Sequence, residues 1–130
     1  MKYLLDTHVL LHYAGQSPQL KPEHDAIIEA ATAQTPLYLS DMSLWEIATL
    51  QSLGRIRISA LQEWLEQVTS PPLVERVRLT PAVAAEVAAL PDSFHRDPGD
   101  RVIVASARVL GATLLTQDDK IIEADIVKTL

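Results

Sequence analysis

Cysteine is absent from the 130 residues. Its absence excludes disulfides, thiolate catalysis and cysteine-ligated zinc, and suits a reducing compartment. Glycine is scarce, at four positions. None of the four builds G-x-x-x-x-G-K-[ST] or G-x-G-x-x-G, so there is no standard nucleotide cradle. A G-x-S-x-G nucleophile elbow is missing as well. Long apolar runs are also lacking, and none approaches the ~20 residues that span a bilayer. The opening Met1-Lys2-Tyr3-Leu4-Leu5-Asp6 reaches a charge too soon for a signal peptide. Together these absences lead us to expect a cytoplasmic protein with no membrane association. Positive charge is in deficit: 11 basic residues face 17 acidic ones, a net −6. Such a chain is a poor nonspecific binder of nucleic acid, because phosphate repels it. A nucleic-acid substrate would have to be brought in by metal ions and a local basic rim, and the same acidity suits a basic partner protein.

What the chain does have is core: 48% apolar residues against 22% charged, in a length that fits one compact domain over residues 1–130. Lys2–Leu5 reads as a short buried strand and Thr7–Tyr13 as a helix broken by Gly15-Gln16-Ser17-Pro18. Residues 22–33 have helical spacing, Leu37–Leu39 is a second strand, and Ser43–Leu53 is a helix stopped at Gly54. Residues 60–68 form a further helix ended by Pro71-Pro72, and Val74–Leu79 alternates as a third strand. Thr80-Pro81 and Asp97-Pro98 each pair a capping side chain with proline at the first helical position, opening helices to Leu90 and about Leu110. Thr113–Leu115 is a fourth strand and Ile126–Lys128 a fifth. Strands alternating with helices predict an α/β fold around a parallel sheet of about five strands.

Acidic residues stand just past the apolar runs at four separate places: Asp6 after the first strand, Glu46 soon after the second, Asp97 and Asp100 at the head of Val102-Ile103-Val104-Ala105, and Asp118-Asp119 after the fourth. In an open parallel sheet the carboxyl ends of the strands share one edge, where ligands bind. Carboxylates gathered there repel unless a divalent cation neutralises them. That pattern points to Mg²⁺ or Mn²⁺ and to phosphoryl-transfer chemistry. Each acid also has a plainer explanation. Asp6 can cap the helix that follows it. Ser43-x-x-Glu46 is a capping box. Asp97 is a natural N-cap, and Asp100 one turn on favours the positive helix end. Asp118 or Asp119 can cap the short segment after them. Joint placement on one edge is what independent caps do not require.

Around the acids, Thr7, His95 and Thr116 are placed to contact an ion or a substrate phosphate, Thr116 also to orient Asp118. Arg55, Arg57, Arg96 and Arg101 form the best basic rim. His8 and His12, four apart on one helix, have zinc spacing but no third ligand to complete it. Trp45 and Trp64 sit among apolar residues, where core or interface packing is the default.

Four pieces follow one another along the chain: Leu4-Leu5-Asp6-Thr7-His8-Val9-Leu10-Leu11, Ser43-Leu44-Trp45-Glu46-Ile47-Ala48, His95-Arg96-Asp97-Pro98-Gly99-Asp100-Arg101 with Ile103-Val104-Ala105, and Leu114-Leu115-Thr116-Gln117-Asp118. In this order they resemble the PIN-domain family and in particular its VapC-type toxin ribonucleases. The resemblance implies a three-layer α/β/α sandwich, Mg²⁺- or Mn²⁺-dependent cleavage of RNA, a homodimer, and inhibition by a cognate VapB-like antitoxin. Carried over by position, the catalytic acids are Asp6, Glu46, Asp100 and Asp118, with Asp97 as a fifth metal ligand. Gly99 departs from the family, which often has an aromatic residue there, and the departure bears on local packing. Two other readings compete. An aspartyl phosphatase would need a second acid two residues after Asp6, where His8 stands. A receiver-like or metal-binding interaction domain would bind the ion without turnover.

Overall fold

A computed structural model describes residues 1–15 and 21–130. The elements run β1 (Tyr3–Leu5), α1 (Thr7–Tyr13), α2 (Pro22–Glu29), β2 (Leu37–Ser40), α3 (Asp41–Ser52), α4 (Leu61–Val68), β3 (Val74–Val77), α5 (Pro81–Ala89), α6 (Pro98–Leu110), β4 (Thr113–Leu115) and α7 (Asp119–Ala124). The four strands pair in parallel in the order β3-β2-β1-β4. Of the expected break after α1, Gly15 is present with φ +82, and Gln16, Ser17 and Pro18 lie outside the described residues.

Period-two alternation along the strands splits the core into two layers. Leu4 and Leu114 face one side of the sheet and pack with Val83, Leu90, Phe94 and the apolar residues of α6. Leu5, Leu39 and Leu115 face the other side and pack with Val9, Leu10, Ile28 and Ile47. Leu5 is in register with both Leu39 and Leu115, so the layer is continuous across the three central strands. Helix α6 is buried nearly all round from Val102 to Ala107, as a helix with so few polar positions there must be.

Two expectations need correction. Among the described residues the sheet has four strands rather than about five: residues 126–128 do not form one. The chain turns at Asp125, whose φ is +52, and meets β4 later. Leu114 N donates to Lys128 O, Leu130 N to Leu114 O and Thr116 N to Leu130 O, leaving a single parallel bridge at Thr129. Second, α3 starts two residues before Ser43. Ser40 ends β2 and caps α3 at once, its hydroxyl accepting from Met42 N at 3.1 Å. Ser43 is therefore inside the helix and fully buried, and the Ser43/Glu46 capping box does not form. Among the described residues, no helix is long and apolar enough to cross a membrane.

Candidate metal centre

Three strand ends and one helix start converge at the carboxyl edge of the sheet. β1 delivers Asp6 and Thr7, β2 runs directly into the first turns of α3 and so presents Glu46, β4 delivers Thr116 and Asp118, and α6 arrives with Asp97 and Asp100. A cleft of about 360 Å³ lies there, lined by Asp6, Thr7, Glu46, Asp97, Asp100 and Asp118 together with His8, Trp45 and Arg55. One carboxylate oxygen each from Glu46, Asp97 and Asp100 falls within 4.8 Å of the others.

Asp6 is held on both oxygens. Oδ1 accepts from Thr7 N at 2.9 Å, and Oδ2 accepts from the buried Thr116 hydroxyl at 2.7 Å. His8 Nδ1 lies 3.3 Å from the same Oδ2. Because the Gln117 backbone N–H donates to His8 Nε2 at 2.8 Å, that nitrogen carries no proton, and the ring proton sits on Nδ1 facing Asp6. Burial, the largest cause, lowers the His8 pKa and keeps the ring neutral, against the pull of Asp6.

Glu46 is fixed by a chain of hydroxyls. Thr7 Oγ1 donates to Glu46 Oε1 at 2.5 Å and lies 2.8 Å from Ser43 Oγ. The one hydroxyl proton of Thr7 is spent on the carboxylate, so Ser43 donates to Thr7. Burial first, and then the charges of Asp6 and Asp97, push the Glu46 pKa up, while the Thr7 bond opposes them. Asp100 is driven further, to about 7, by burial and then by Asp6, Asp97, Asp118 and Glu46 in turn. His95 Nε2 stands 3.0 Å from Asp100 Oδ2, off the line of a hydrogen bond, and has no other partner among the described residues.

Asp97 and Asp118 each combine two duties. Asp97 caps α6, accepting from Asp100 N at 3.0 Å, and Asp118 caps α7, accepting from Lys120 N at 2.9 Å. Both still line the cleft, whereas Asp119 does not. Thr116 serves Asp6 with its side chain and receives Asp118 N at 3.0 Å, so it ties the two acids together.

The basic rim is smaller than expected. Arg55 lines the cleft, but the exposed Arg96 lies 3.8 Å from Asp92 and outside it. Arg101 is no rim residue at all: it is 7% exposed, and its guanidinium donates to Phe94 O and His95 O, bracing the loop that carries His95. The zinc pair also dissolves, since His8 is tied to Gln117 and Asp6, and His12 Nδ1 is tied to Gln117 Oε1 at 3.0 Å. Trp64 packs at the core as expected, but Trp45 is 58% exposed on the cleft wall. Ser43 and Arg101 brace the site without carrying an acid: Ser43 reaches Thr7 on α1, and Arg101 reaches back to the carbonyls of Phe94 and His95.

The fold and site define an α/β protein whose parallel sheet gathers a carboxylate cluster at its carboxyl edge. The chain belongs to the PIN domain family, whose model matches residues 3–127. Ribonuclease VapC22 of Mycobacterium tuberculosis (strain ATCC 25618 / H37Rv) is 35% identical over 119 residues, which span 91% of this chain and 88% of the relative. Similar solved structures include VapBC2 from Rickettsia felis bound to a DNA fragment from its promoter, with TM-score 0.73 and 17% identity over 100% of this chain and 98% of that one. VapBC-1 from nontypeable Haemophilus influenzae gives TM-score 0.73 and 16% identity, covering 100% and 97%. FitAcB from Neisseria gonorrhoeae gives 0.68 and 21%, covering 98% and 96%. At these identities the structures establish likeness of fold.

Proposed function

We propose that this chain is a Mg²⁺- or Mn²⁺-dependent endoribonuclease, folded as one domain, and the toxin of a toxin–antitoxin pair. The observation that carries the reading is the convergence of Glu46, Asp97 and Asp100 within 4.8 Å, with Asp6 and Asp118 on the same cleft. Support for RNA as the substrate comes from the relative named a ribonuclease, similar along nearly the whole chain. Support for an antitoxin partner of the VapB type comes from the solved VapBC assemblies of the same fold. A homodimer is part of the same proposal.

The donor set fits a hard divalent cation. All five side chains offer carboxylate oxygen, and none offers sulfur or imidazole. Burial first, and then the charges of Asp6, Asp97, Asp118 and Glu46, raise the Asp100 pKa, and a bound cation would offset that cost of charge. When bound there, the cation lowers the pKa of water and offsets charge on a phosphodiester. Asp6, Glu46, Asp97, Asp100 and Asp118 would hold it. Thr116 and His8 hold the Asp6 carboxylate in place. Ser43 and Thr7 fix the rotamer of Glu46. Arg55 on the cleft wall offers a fixed positive charge to a substrate phosphate.

The test is cleavage of RNA with Mg²⁺ or Mn²⁺, with excess EDTA, and with Asp6→Asn, which retains the shape of the side chain. Cleavage should need the cation and should fall by about a hundred- to a thousandfold in the variant, as loss of a charge-stabilising group does. Water as nucleophile leaves a 5′-phosphate and a 3′-hydroxyl, whereas the RNA 2′-hydroxyl leaves a cyclic phosphate. Full activity in EDTA or in Asp6→Asn would remove the reading.

A further inference from the structure

A tryptophan ring has much apolar surface to hide. On α3, Leu44 and Ile47 turn into the core, but Trp45 turns away from it and stays 58% exposed. With Thr49 and Leu53 it follows the spacing i, i+4, i+8, and all three line the cleft that holds the acids. Leu53 is exposed too. Single exposed apolar residues are ordinary. Two on one stripe, inside a concave site that also gathers carboxylates, call for an occupant with both a flat apolar face and a negative charge.

A nucleotide has both. Charge alone holds RNA poorly here, because the chain carries a net −6 and phosphate is repelled except at a bound cation. Of Arg55, Arg96 and Arg101, only Arg55 lines the cleft. Base stacking does not depend on charge, and every base has a face that an aromatic ring can take. We propose that Trp45 is a stacking platform for one unpaired base of the RNA, on a nucleotide beside the phosphate that the acids handle, with Arg55 on a neighbouring phosphate. Trp45 precedes Glu46 on the same turn of α3, so the platform and the acid are set by one helix. A base inside a duplex already has both faces covered, so the favoured substrate is a single strand or a loop.

This inference rests on the reading of the cleft as an RNA-cleaving site, and two measurements keep them apart. The first is cleavage of a single-stranded RNA oligonucleotide in Mg²⁺ by wild type, Trp45→Phe and Trp45→Ala, each first shown to be folded by circular dichroism. Trp45→Ala should raise KM by about five- to a hundredfold with a much smaller change in kcat, and Trp45→Phe, which keeps a ring, should raise it far less. Removing the base from one nucleotide beside the mapped cut should cost wild type a similar factor and Trp45→Ala less than about twofold. Mn²⁺ affinity by titration calorimetry should stay within about twofold in Trp45→Ala. An unchanged KM would assign the indole to a protein partner and overturn the proposal. Equal losses from the missing base in both proteins would overturn it too, as would a loss of Mn²⁺ affinity, which would make the ring a prop for Glu46.

The second measurement needs no cleavage. In Trp64→Phe combined with Asp6→Asn, Trp45 is the remaining tryptophan. Single-stranded RNA in Mg²⁺ should quench its fluorescence, and an abasic strand of the same charge should not. If wild type cuts RNA but no quenching occurs, the platform is lost and the nuclease reading stands. If quenching occurs but wild type cuts nothing, the nuclease reading is lost and the platform stands.

Discussion

Asp100 holds a charge that its surroundings resist. Its pKa stands at about 7 against an ordinary 3.8, because it is largely buried and faces Asp6, Asp97, Asp118 and Glu46. The sign follows from proton linkage. Between about pH 4 and pH 7, the folded metal-free protein holds a proton that the unfolded chain has released. Its stability therefore falls as pH rises through that window and levels off above it. Glu46, raised chiefly by burial, acts in the same direction. His8 acts in the opposite one: with its pKa lowered, its contribution improves as pH climbs toward 6.5. Comparing Asp100→Asn with wild type cancels both. The variant should be more stable than wild type at pH 8 in EDTA, on the order of 2 kcal/mol, and the gain should vanish by pH 4. Urea melts at a series of pH values measure it. A gain that does not change with pH would show that packing, not charge, was altered. Cation binding should strengthen with pH through the same window, because protons compete for the ligands.

At the scale of elements, the caps and the cluster share residues, and this governed how far the chain could be read. Asp97 caps α6 and belongs to the acid cluster, and asparagine separates the two roles because it caps as well as aspartate does. Asp97→Asn should keep the cap, so without metal its stability should be no lower than wild type and should gain whatever the lost repulsion of Asp100 and Glu46 adds, yet its Mn²⁺ binding should weaken. Asp97→Ala should lose about 1 kcal/mol in addition. Equal Mn²⁺ affinity in Asp97→Asn and wild type would confine Asp97 to capping. The helix starts at Thr7, Pro81 and Pro98 were readable because local chemistry decides them: a strand-ending acid, or a cap followed by proline. The start of α3 was not. Ser40 and Ser43 are both sound caps, and only the length of β2, set by pairing with β1 and β3, chooses Ser40. That choice frees Ser43 to reach Thr7 and turns an apparent capping box into support for Glu46. The expected fifth strand failed for a related reason. Apolar content marked Ile126–Lys128, but the turn at Asp125 and the ladder to Leu114 place the pairing at Lys128–Leu130. Arg101 was opaque because an arginine at a helix start reads as solvated charge, and only the fold turns it inward onto the 94–95 carbonyls; Gly99 was opaque because the atoms beside it belong to Glu46, far along the chain.

Across the whole molecule, the acids come from segments far apart in the chain, at residues 6, 46, 97–100 and 118, and the sheet alone brings them together. A cation held by all of them would link β1, α3, α6 and the β4–α7 corner, and the unfolded chain offers no such site. Binding free energy therefore appears as folding free energy. Mn²⁺ at about a hundredfold over its dissociation constant should add about 2.7 kcal/mol. For a domain of this size that corresponds to a rise in Tm of roughly 8–12 °C. The same concentration should give a much smaller rise in Asp6→Asn and Asp100→Asn, although those variants begin with less repulsion. Hydrogen exchange adds a spatial test, since protection should rise together at Thr7, the first turns of α3 and α6, and Asp118. A Tm rise of equal size in Asp6→Asn, or protection confined to one segment, would mean that the ion sits elsewhere on this acidic surface and that the cluster does not act as a unit.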